Sequence, residues 1–274
     1  MTMRETARET AYAKINLALH VRRRREDGYH ELETLFAFVD AGDELRAGPA
    51  DADNLALTGE FAAQLSGGDG NIVLEALAAL PHGGGWAVSL DKRLPVAAGL
   101  GGGSADAGAI FRMVERHHGL PEGWQALAAR LGADVPACVA STACIGRGTG
   151  TELEPIANDL AGVPVLLVNP RVPLATGPVF RGWDGRDRGP MPTGDVRTIA
   201  LDGRNDLEPS ALALVPQVGE VLRVLGDTSP LLARMSGSGA TCFALYESEA
   251  ALAAAVDRLD RAHPQWWKLA GKLR

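Results

Sequence analysis

The chain has 274 residues, enough for one large domain or for two lobes of ordinary size. Its 46% hydrophobic and 22% charged residues are typical of a globular protein, and no apolar run approaches the roughly 18 residues that span a bilayer. The net charge is −7, so the chain lacks an overall positive field, and neither nucleic acid nor a membrane is an expected partner.

The cysteines and the first residues indicate a compartment. Cys138, Cys144 and Cys242 are odd in number, and the start of the chain lacks the apolar segment of a secretion signal. We therefore expect a cytoplasmic protein whose three thiols are free and lie in its core.

Apolar periodicity predicts both strands and helices, in an order without regular βαβ units, which indicates an α+β fold. Paired strands are expected over residues 12–21 and 33–39, followed by a helix over 72–80 and a strand over 86–90. The clearest helix begins at an N-cap, Ser104, and ends at Gly119, and a second helix covers residues 124–131. Later in the chain we expect a strand over 163–168, a mobile loop over 181–205, a helix over 206–225, a strand over 240–246 and a helix over 249–261.

The strongest local signal is a glycine-rich segment that runs directly into the clearest helix. It reads PVAAGLGGGSAD over residues 95–106, with four glycines in the five positions 99–103. Glycine lets the backbone approach a ligand closely, and the free N–H groups at a helix N-terminus favour a phosphate. A glycine-rich turn that serves only close packing is the alternative.

The common phosphate-binding and hydrolytic motifs do not fit this segment. No lysine follows the glycines as a P-loop requires, and the spacing departs from the GxGxxG of dinucleotide-binding folds. The protein-kinase motifs HRD and DFG, a GxSxG elbow and a zinc pattern are all missing from the sequence.

Three further segments complete a family pattern. They are AYAKINL over residues 11–17, LGADVP over 131–136 and MSGSGAT over 235–241. Together with the glycine-rich segment they resemble the GHMP kinase superfamily. DGYHELET over 27–34 and NDLEP over 205–209 narrow the resemblance to the kinases that act on a cytidine-diphosphate-linked methylerythritol in the non-mevalonate isoprenoid pathway. Two departures are Tyr12, where a proline is usual, and Ala105-Asp106, where the family has Ser-Asn, which leaves the role of Asp106 open.

The resemblance implies a two-lobed fold, with lobes over residues 1–156 and 157–274 and the active site in the cleft between them. It also implies transfer of the γ-phosphoryl group of ATP to the substrate 2-hydroxyl, with Mg²⁺ neutralising charge. The metal ligands and a choice between monomer and homodimer do not follow from it.

The implied catalytic pair is Lys14 and Asp134. Asp134 would accept the proton of the substrate hydroxyl, while Lys14 would hold the charge of Asp134 and stabilise the transferring group. A solvent-facing lysine on an edge strand and an aspartate that only caps a helix are the alternatives.

The remaining implied contacts fall into two groups. Residues expected at ATP are Asn71, Lys92, Pro95, Val96, Ala97, Ala98, Gly99, Leu100, Gly101, Gly102, Gly103, Ser104 and Ala105. Residues expected at the cytidine substrate are Asn16, Tyr29, His30, Thr176 and Phe180, with the two aromatic rings stacking on the base.

Two rival functions remain. A GHMP kinase for a smaller alcohol such as mevalonate or homoserine is disfavoured by the Tyr29-His30 turn. A catalytically dead relative that senses a ligand is disfavoured by the presence of both Lys14 and Asp134.

Overall fold

A computed structural model describes residues 6–68 and 70–274. Within them the chain forms β1 (Ala7–Arg24), β2 (His30–Ala50), β3 (Asn54–Thr58), α1 (Ile72–Ala79), β4 (Gly85–Asp91), α2 (Gly102–His118), α3 (Trp124–Leu131) and α4 (Val135–Ala140). It continues with β5 (Cys144–Gly148), β6 (Glu152–Pro155), β7 (Pro164–Asn169), α5 (Thr176–Arg181), α6 (Val196–Asp202), α7 (Glu208–Leu214), α8 (Gln217–Gly226), β8 (Leu232–Met235), β9 (Cys242–Leu245), α9 (Glu249–Ala262) and β10 (Trp267–Lys272). The predicted α+β class is confirmed.

The chain folds into two compact units that alternate along the sequence. The first comprises residues 6–13, 42–68, 70–96 and 101–141; the second comprises residues 14–41, 97–100 and 142–274. The long strands β1 and β2 therefore supply residues to both units. The predicted division of the family domains near residue 156 stays a prediction.

The first unit packs helices with a small sheet. β4 pairs antiparallel with the second half of β2 and parallel with β3. α2 packs against α1 and α4. A side chain at Gly108 of α2 would stand 2.7 Å from the carbonyl carbon of Cys138 in α4, so only glycine permits this close approach.

The apolar periodicity of α2 predicts its buried face correctly. Ala107, Ile110, Phe111 and Val114 are all fully buried, and burial of a side chain such as Phe111 contributes about 1.5–3 kcal/mol. The predicted N-cap is wrong, because Ser104 lies inside the helix. Gly101 caps it instead, in a left-handed conformation (φ 60°) that glycine adopts without strain.

The second unit contains a four-stranded antiparallel sheet in the order β10-β7-β9-β8. Helices α8 and α9 pack on this sheet and bury an apolar core with it. In the same unit β5 pairs antiparallel with the first half of β2, and β6 pairs with β5.

Two predicted elements of the second unit are wrong. Residues 181–205 are not wholly irregular, because α6 forms within them and Asp195 caps it by accepting a hydrogen bond from the N–H of Thr198. The single helix expected over 206–225 is two helices, α7 and α8, which are separated at Val215 and Pro216. Proline lacks the N–H that a continuous helix would need there.

The three cysteines are free and buried, as predicted. Among the described residues, no helix is long and apolar enough to cross a membrane.

Candidate active site

The predicted ATP segment contributes to both compact units. Residues up to Val96 and from Gly101 onward cluster with the first unit, and residues 97–100 cluster with the second. Both units therefore contribute polar groups to the predicted site.

In the first unit the segment ends at the N-terminus of α2. Gly102, Gly103 and Ser104 are the first residues of that helix, and backbone N–H groups at this position have no acceptor within a helix. The helix dipole makes the same end favourable for anions. The arrangement fits the predicted phosphate site.

Ser104 also lies close to the turn that carries Asp134. A side chain at Gly132 would stand 3.6 Å from the Ser104 hydroxyl oxygen, and Asp134 follows two residues later, immediately before α4. The carboxylate of Asp134 makes no capping hydrogen bond to α4. The alternative reading of Asp134 as a mere helix cap is therefore not supported.

Lys92 and Asn71, both predicted near ATP, have structural partners in the first unit. The Lys92 ammonium is 1% exposed and donates to the carboxylates of Asp43 (2.6 Å) and Asp106 (2.5 Å). The Asn71 side chain caps α1 by accepting from the N–H of Val73 (3.0 Å) and donates to the carbonyl of Ser66 (2.6 Å). Their contact with nucleotide stays a prediction.

In the second unit residues 98–100 lie between β1 and the turn of the MSGSGAT segment. The Ser236 hydroxyl donates to the carbonyl of Gly99 (2.8 Å), and the N–H of Lys14 donates to the carbonyl of Leu100 (3.0 Å). A side chain at Gly99 (φ 77°) would collide with the Ser236 carbonyl, so this position requires glycine. The sequence alone identified both segments but gave no sign that they touch.

Lys14 is buried and held in a network of polar side chains. Lys14 is only 4% exposed, and its ammonium donates to the Asn16 amide oxygen (3.0 Å). The Asn16 amide nitrogen donates to the Thr34 hydroxyl (2.7 Å), which fixes the orientation of the amide. The solvent-facing edge lysine is therefore excluded, and Asn16 and Thr34 position the ammonium.

The predicted cytidine residues include a ring cluster in the second unit. His30 is buried, with its ring centroid 5.1 Å from that of Phe180 and 5.7 Å from that of Trp183. Tyr29, its neighbour in the chain, is 67% exposed, so its ring is open to a ligand. Thr176, at the start of α5, is within hydrogen-bonding distance of the Ser238 hydroxyl (3.0 Å).

Arg24 lies against His30. Its Nε is 3.5 Å from Nε2 of the imidazole, and the guanidinium also donates to the carbonyl of Arg181 (3.3 Å). Burial, followed by repulsion from Arg24, lowers the pKa of His30 below its ordinary value. The ring is therefore neutral near pH 7 and can both donate and accept a hydrogen bond.

Sequence reasoning missed several residues that shape these groups. Trp183 follows the end of α5, where its N–H donates to the carbonyl of Phe180 (3.2 Å), and no motif of the sequence includes it. Asp43 lies outside every motif, and Thr34 and Asn205 lie in the motifs over 27–34 and 205–209 without a role having been assigned to them. The Asn205 amide donates to the carbonyls of Met235 and Gly237 (2.8 Å each) and so supports the MSGSGAT turn.

Comparison with known proteins agrees with this arrangement. Residues 71–142 match the family model for the GHMP kinases N terminal domain, and residues 194–265 match GHMP kinases C terminal. The 4-diphosphocytidyl-2-C-methyl-D-erythritol kinase of Novosphingobium aromaticivorans is 69% identical over 271 residues, covering 97% of this chain and 93% of that protein. The protein of the same name from Erythrobacter litoralis is 60% identical, covering 97% and 99%.

A solved structure shares the fold. The crystal structure of a 4-(cytidine 5'-diphospho)-2C-methyl-D-erythritol kinase superposes with a TM-score of 0.80 at 34% identity, covering 97% of this chain and 99% of that one. The fold and the glycine-rich helix start thus define a GHMP kinase. Within that superfamily, the chain belongs to the family of 4-diphosphocytidyl-2-C-methyl-D-erythritol kinases.

Proposed function

We propose that this chain transfers the γ-phosphoryl group of ATP to the 2-hydroxyl of 4-diphosphocytidyl-2-C-methyl-D-erythritol, a step of the non-mevalonate isoprenoid pathway. Identity of 69% to a kinase named for this substrate, over nearly the whole chain, is the observation that carries the proposal. The open ring of Tyr29 beside buried His30 agrees with a substrate that contains a nucleobase.

The nucleotide phosphates would bind at the glycine-rich segment. Backbone N–H groups at the start of α2 would hold the phosphate oxygens, because they lack helical partners and the dipole favours negative charge there. Phosphoryl transfer depends mainly on such positioning and on charge stabilisation, because the protein takes little part in covalent chemistry.

Asp134 and Lys14 would act on the reacting groups. Asp134 would accept the proton as the substrate oxygen attacks the γ-phosphorus, and ADP would leave with the electrons of the broken P–O bond. Lys14, whose ammonium is directed by Asn16, would stabilise the charge that spreads over the phosphoryl oxygens.

The cytosine would stack between Tyr29 and Phe180, with His30 at the edge of the base. Arg24 lies against Nε2 of neutral His30, so His30 would offer the base edge its other ring nitrogen, Nδ1, without a charge penalty. Asn16 and Thr176 are the further polar residues that we expect near the substrate.

Mg²⁺ fits the chemistry of phosphoryl transfer. Among residues 6–68 and 70–274, no group of three or more His, Cys, Asp or Glu side chains is arranged to hold a metal ion. Mg²⁺ commonly binds through substrate phosphates, waters and one or two carboxylates, so the nucleotide would supply much of its coordination. When bound, it would neutralise phosphate charge.

We also propose a domain organisation and a cellular location. The family models match residues on either side of position 156, which supports lobes over residues 1–156 and 157–274. Three free cysteines favour a reducing compartment, so we place the chain in the cytoplasm.

An ADP-release assay with three alcohols tests the proposal. We expect the highest kcat/KM with the cytidine-diphosphate substrate and little turnover of mevalonate or homoserine. Equal or greater kcat/KM with a smaller alcohol would overturn the substrate assignment. Binding of the cytidine substrate without ADP release, in the presence of ATP and Mg²⁺, would indicate the non-catalytic ligand sensor.

A further inference from the structure

A buried group of three charges lies beside the start of α2. The Lys92 ammonium donates to Asp43 (2.6 Å) and to Asp106 (2.5 Å), and all three residues are at most 1% exposed. We call this set the Lys92 cluster. It is distinct from the proposed catalytic pair, and the sequence analysis left the role of Asp106 open.

The Lys92 cluster connects two pieces of backbone in the first unit. The other oxygen of Asp43 accepts from the N–H groups of Arg93 (2.6 Å) and Leu94 (2.8 Å), which fixes the turn after β4. Asp106 lies one turn into α2, and a side chain at Gly102 would stand 3.2 Å from the Lys92 nitrogen. The cluster therefore ties the turn after β4 to the first turn of α2.

The charges of the Lys92 cluster do not balance if every group is ionised. Two carboxylates and one ammonium leave one negative charge, and a buried net charge is costly. The second carboxyl oxygen of Asp106 is buried and has no hydrogen-bond partner among residues 6–68 and 70–274. Such an atom is poorly placed to carry part of a full charge.

The directions in which the pKa values of Asp106 and Lys92 are shifted agree with a proton bound to the Lys92 cluster. Burial raises the pKa of Asp106 well above its ordinary value, with Lys92 opposing the shift and Asp43 adding to it. Burial alone would lower the pKa of Lys92, but the attraction of Asp106 and Asp43 outweighs it, and the pKa is raised. The proton thus belongs on a carboxyl group and the lysine stays charged.

Among the described residues, the helices packed against α2 carry few charged side chains, and Asp134 immediately precedes α4. Within the described residues, α1 contributes Glu75, which is exposed, and α3 contributes Arg130, also exposed. α4 contributes the thiol of Cys138.

We propose that the Lys92 cluster is a positioning device that keeps one proton on its two carboxyl groups, and so fixes the first turn of α2 without adding negative charge there. The role in nucleotide binding rests on the proposed function, since the phosphates are placed at that turn. Lys92 and Asp106 act through the backbone of α2 and are positioning residues, not catalytic ones.

Asp106→Asn tests the proton, because the amide keeps the shape and the acceptor for Lys92 but is neutral at every pH. We expect the unfolding temperature of the ligand-free parent chain to fall, relative to Asp106→Asn, as pH rises from about 5 to 8.5. In the unfolded chain Asp106 loses its proton at about pH 4, whereas in the folded chain its raised pKa keeps the proton bound to higher pH. The folded chain therefore binds more protons than the unfolded chain between these two pKa values, and stability declines as pH rises through that range. Glu115→Gln, an exposed change on the same helix, should follow the parent.

Asp106→Ala tests the positioning. Calorimetry should show about ten-fold weaker ADP binding with CDP binding unchanged, and Asp106→Asn should restore ADP affinity. Parallel pH profiles for the parent and Asp106→Asn would overturn the bound proton, and equal losses of ADP and CDP affinity in Asp106→Ala would overturn the positioning role. Since the unfolding profile needs no ligand, failure of the parent to bind ADP would refute the proposed function and leave the proton test intact.

Discussion

Removal of the Tyr29 ring is expected to weaken substrate binding without destabilising the fold. Tyr29 is 67% exposed, and its backbone N–H donates to Asp27 (3.0 Å) while its carbonyl accepts from the N–H of Arg25 (2.8 Å). An alanine keeps both of these backbone hydrogen bonds. Tyr29→Ala therefore costs the folded chain little buried area. Any large change in ligand binding then reflects the lost ring.

The magnitude follows from base stacking. An aromatic ring stacked on a base is worth about 1–3 kcal/mol, and each 1.4 kcal/mol is a factor of ten in affinity. CDP affinity should fall by roughly ten-fold to a hundred-fold in Tyr29→Ala, while ADP affinity should stay within about two-fold. Tyr29→Phe, which keeps the ring, should bind CDP almost as the parent does.

Isothermal calorimetry with CDP and with ADP gives both affinities on each variant, and thermal unfolding checks the fold. Unchanged CDP affinity in Tyr29→Ala, with the parent's unfolding temperature, would refute the stacking argument. The turn would then be a surface hairpin, and the base would have to be recognised elsewhere.

Three further changes test other parts of the site. Asp134→Asn should lower kcat by about 10²–10⁴-fold and leave ADP affinity and unfolding temperature near those of the parent, because the amide cannot accept a proton and no cap is lost; near-normal steady-state turnover would contradict the assignment. Gly102→Val should weaken ADP binding by about ten-fold or more and CDP binding far less, because its side chain would crowd the Lys92 ammonium and the phosphate position; equal losses in calorimetry would indicate misfolding. The pKa of His30 is lowered in the folded chain, so just below the ordinary value of 6.5 only the unfolded chain gains a proton on this ring, and the parent loses stability as pH falls from about 7 to about 5. His30→Gln should reduce that loss, measured as the free energy of unfolding in urea. An unchanged dependence of this free energy on pH would show that His30 titrates normally.

Helical periodicity in the sequence was sufficient to predict α2, but it did not predict the residue at which the helix begins. The buried positions repeat at helical spacing, so the helix could be predicted without tertiary information. Glycine is a poor helix former, and Gly102 and Gly103 therefore read as loop. The structure begins the helix there because Gly101 provides the left-handed turn before it.

Composition misled the reading of residues 181–205. Glycine, proline and charged residues dominate the segment and mask a short apolar pattern. Val196, Ile199 and Ala200 of α6 are buried in the second unit, and this packing stabilises a helix of seven residues that is too short to be stable alone.

Pairings between distant residues were invisible in the sequence. The family resemblance placed Lys92 near ATP, but its partner Asp43 lies 49 positions earlier and has no motif of its own. The same holds for Ser236 and Gly99, which are 137 positions apart. Motifs were enough to locate the segments of the site along the chain. Which side chains are buried, and which residues they contact, could be determined only from the fold.

The alternation of the two units along the chain has a consequence for biosynthesis. Residues 14–41 leave the ribosome early, but the strand β10 that pairs with β7 is among the last to be made. Contacts between such distant segments slow folding and leave apolar strands unpaired meanwhile. The strand β7 therefore waits without a partner until β9 and β10 have been made, whereas β2 can pair early with β4 and β5. A cut near residue 156 would separate residues 14–41 from most of the second unit, to which they belong.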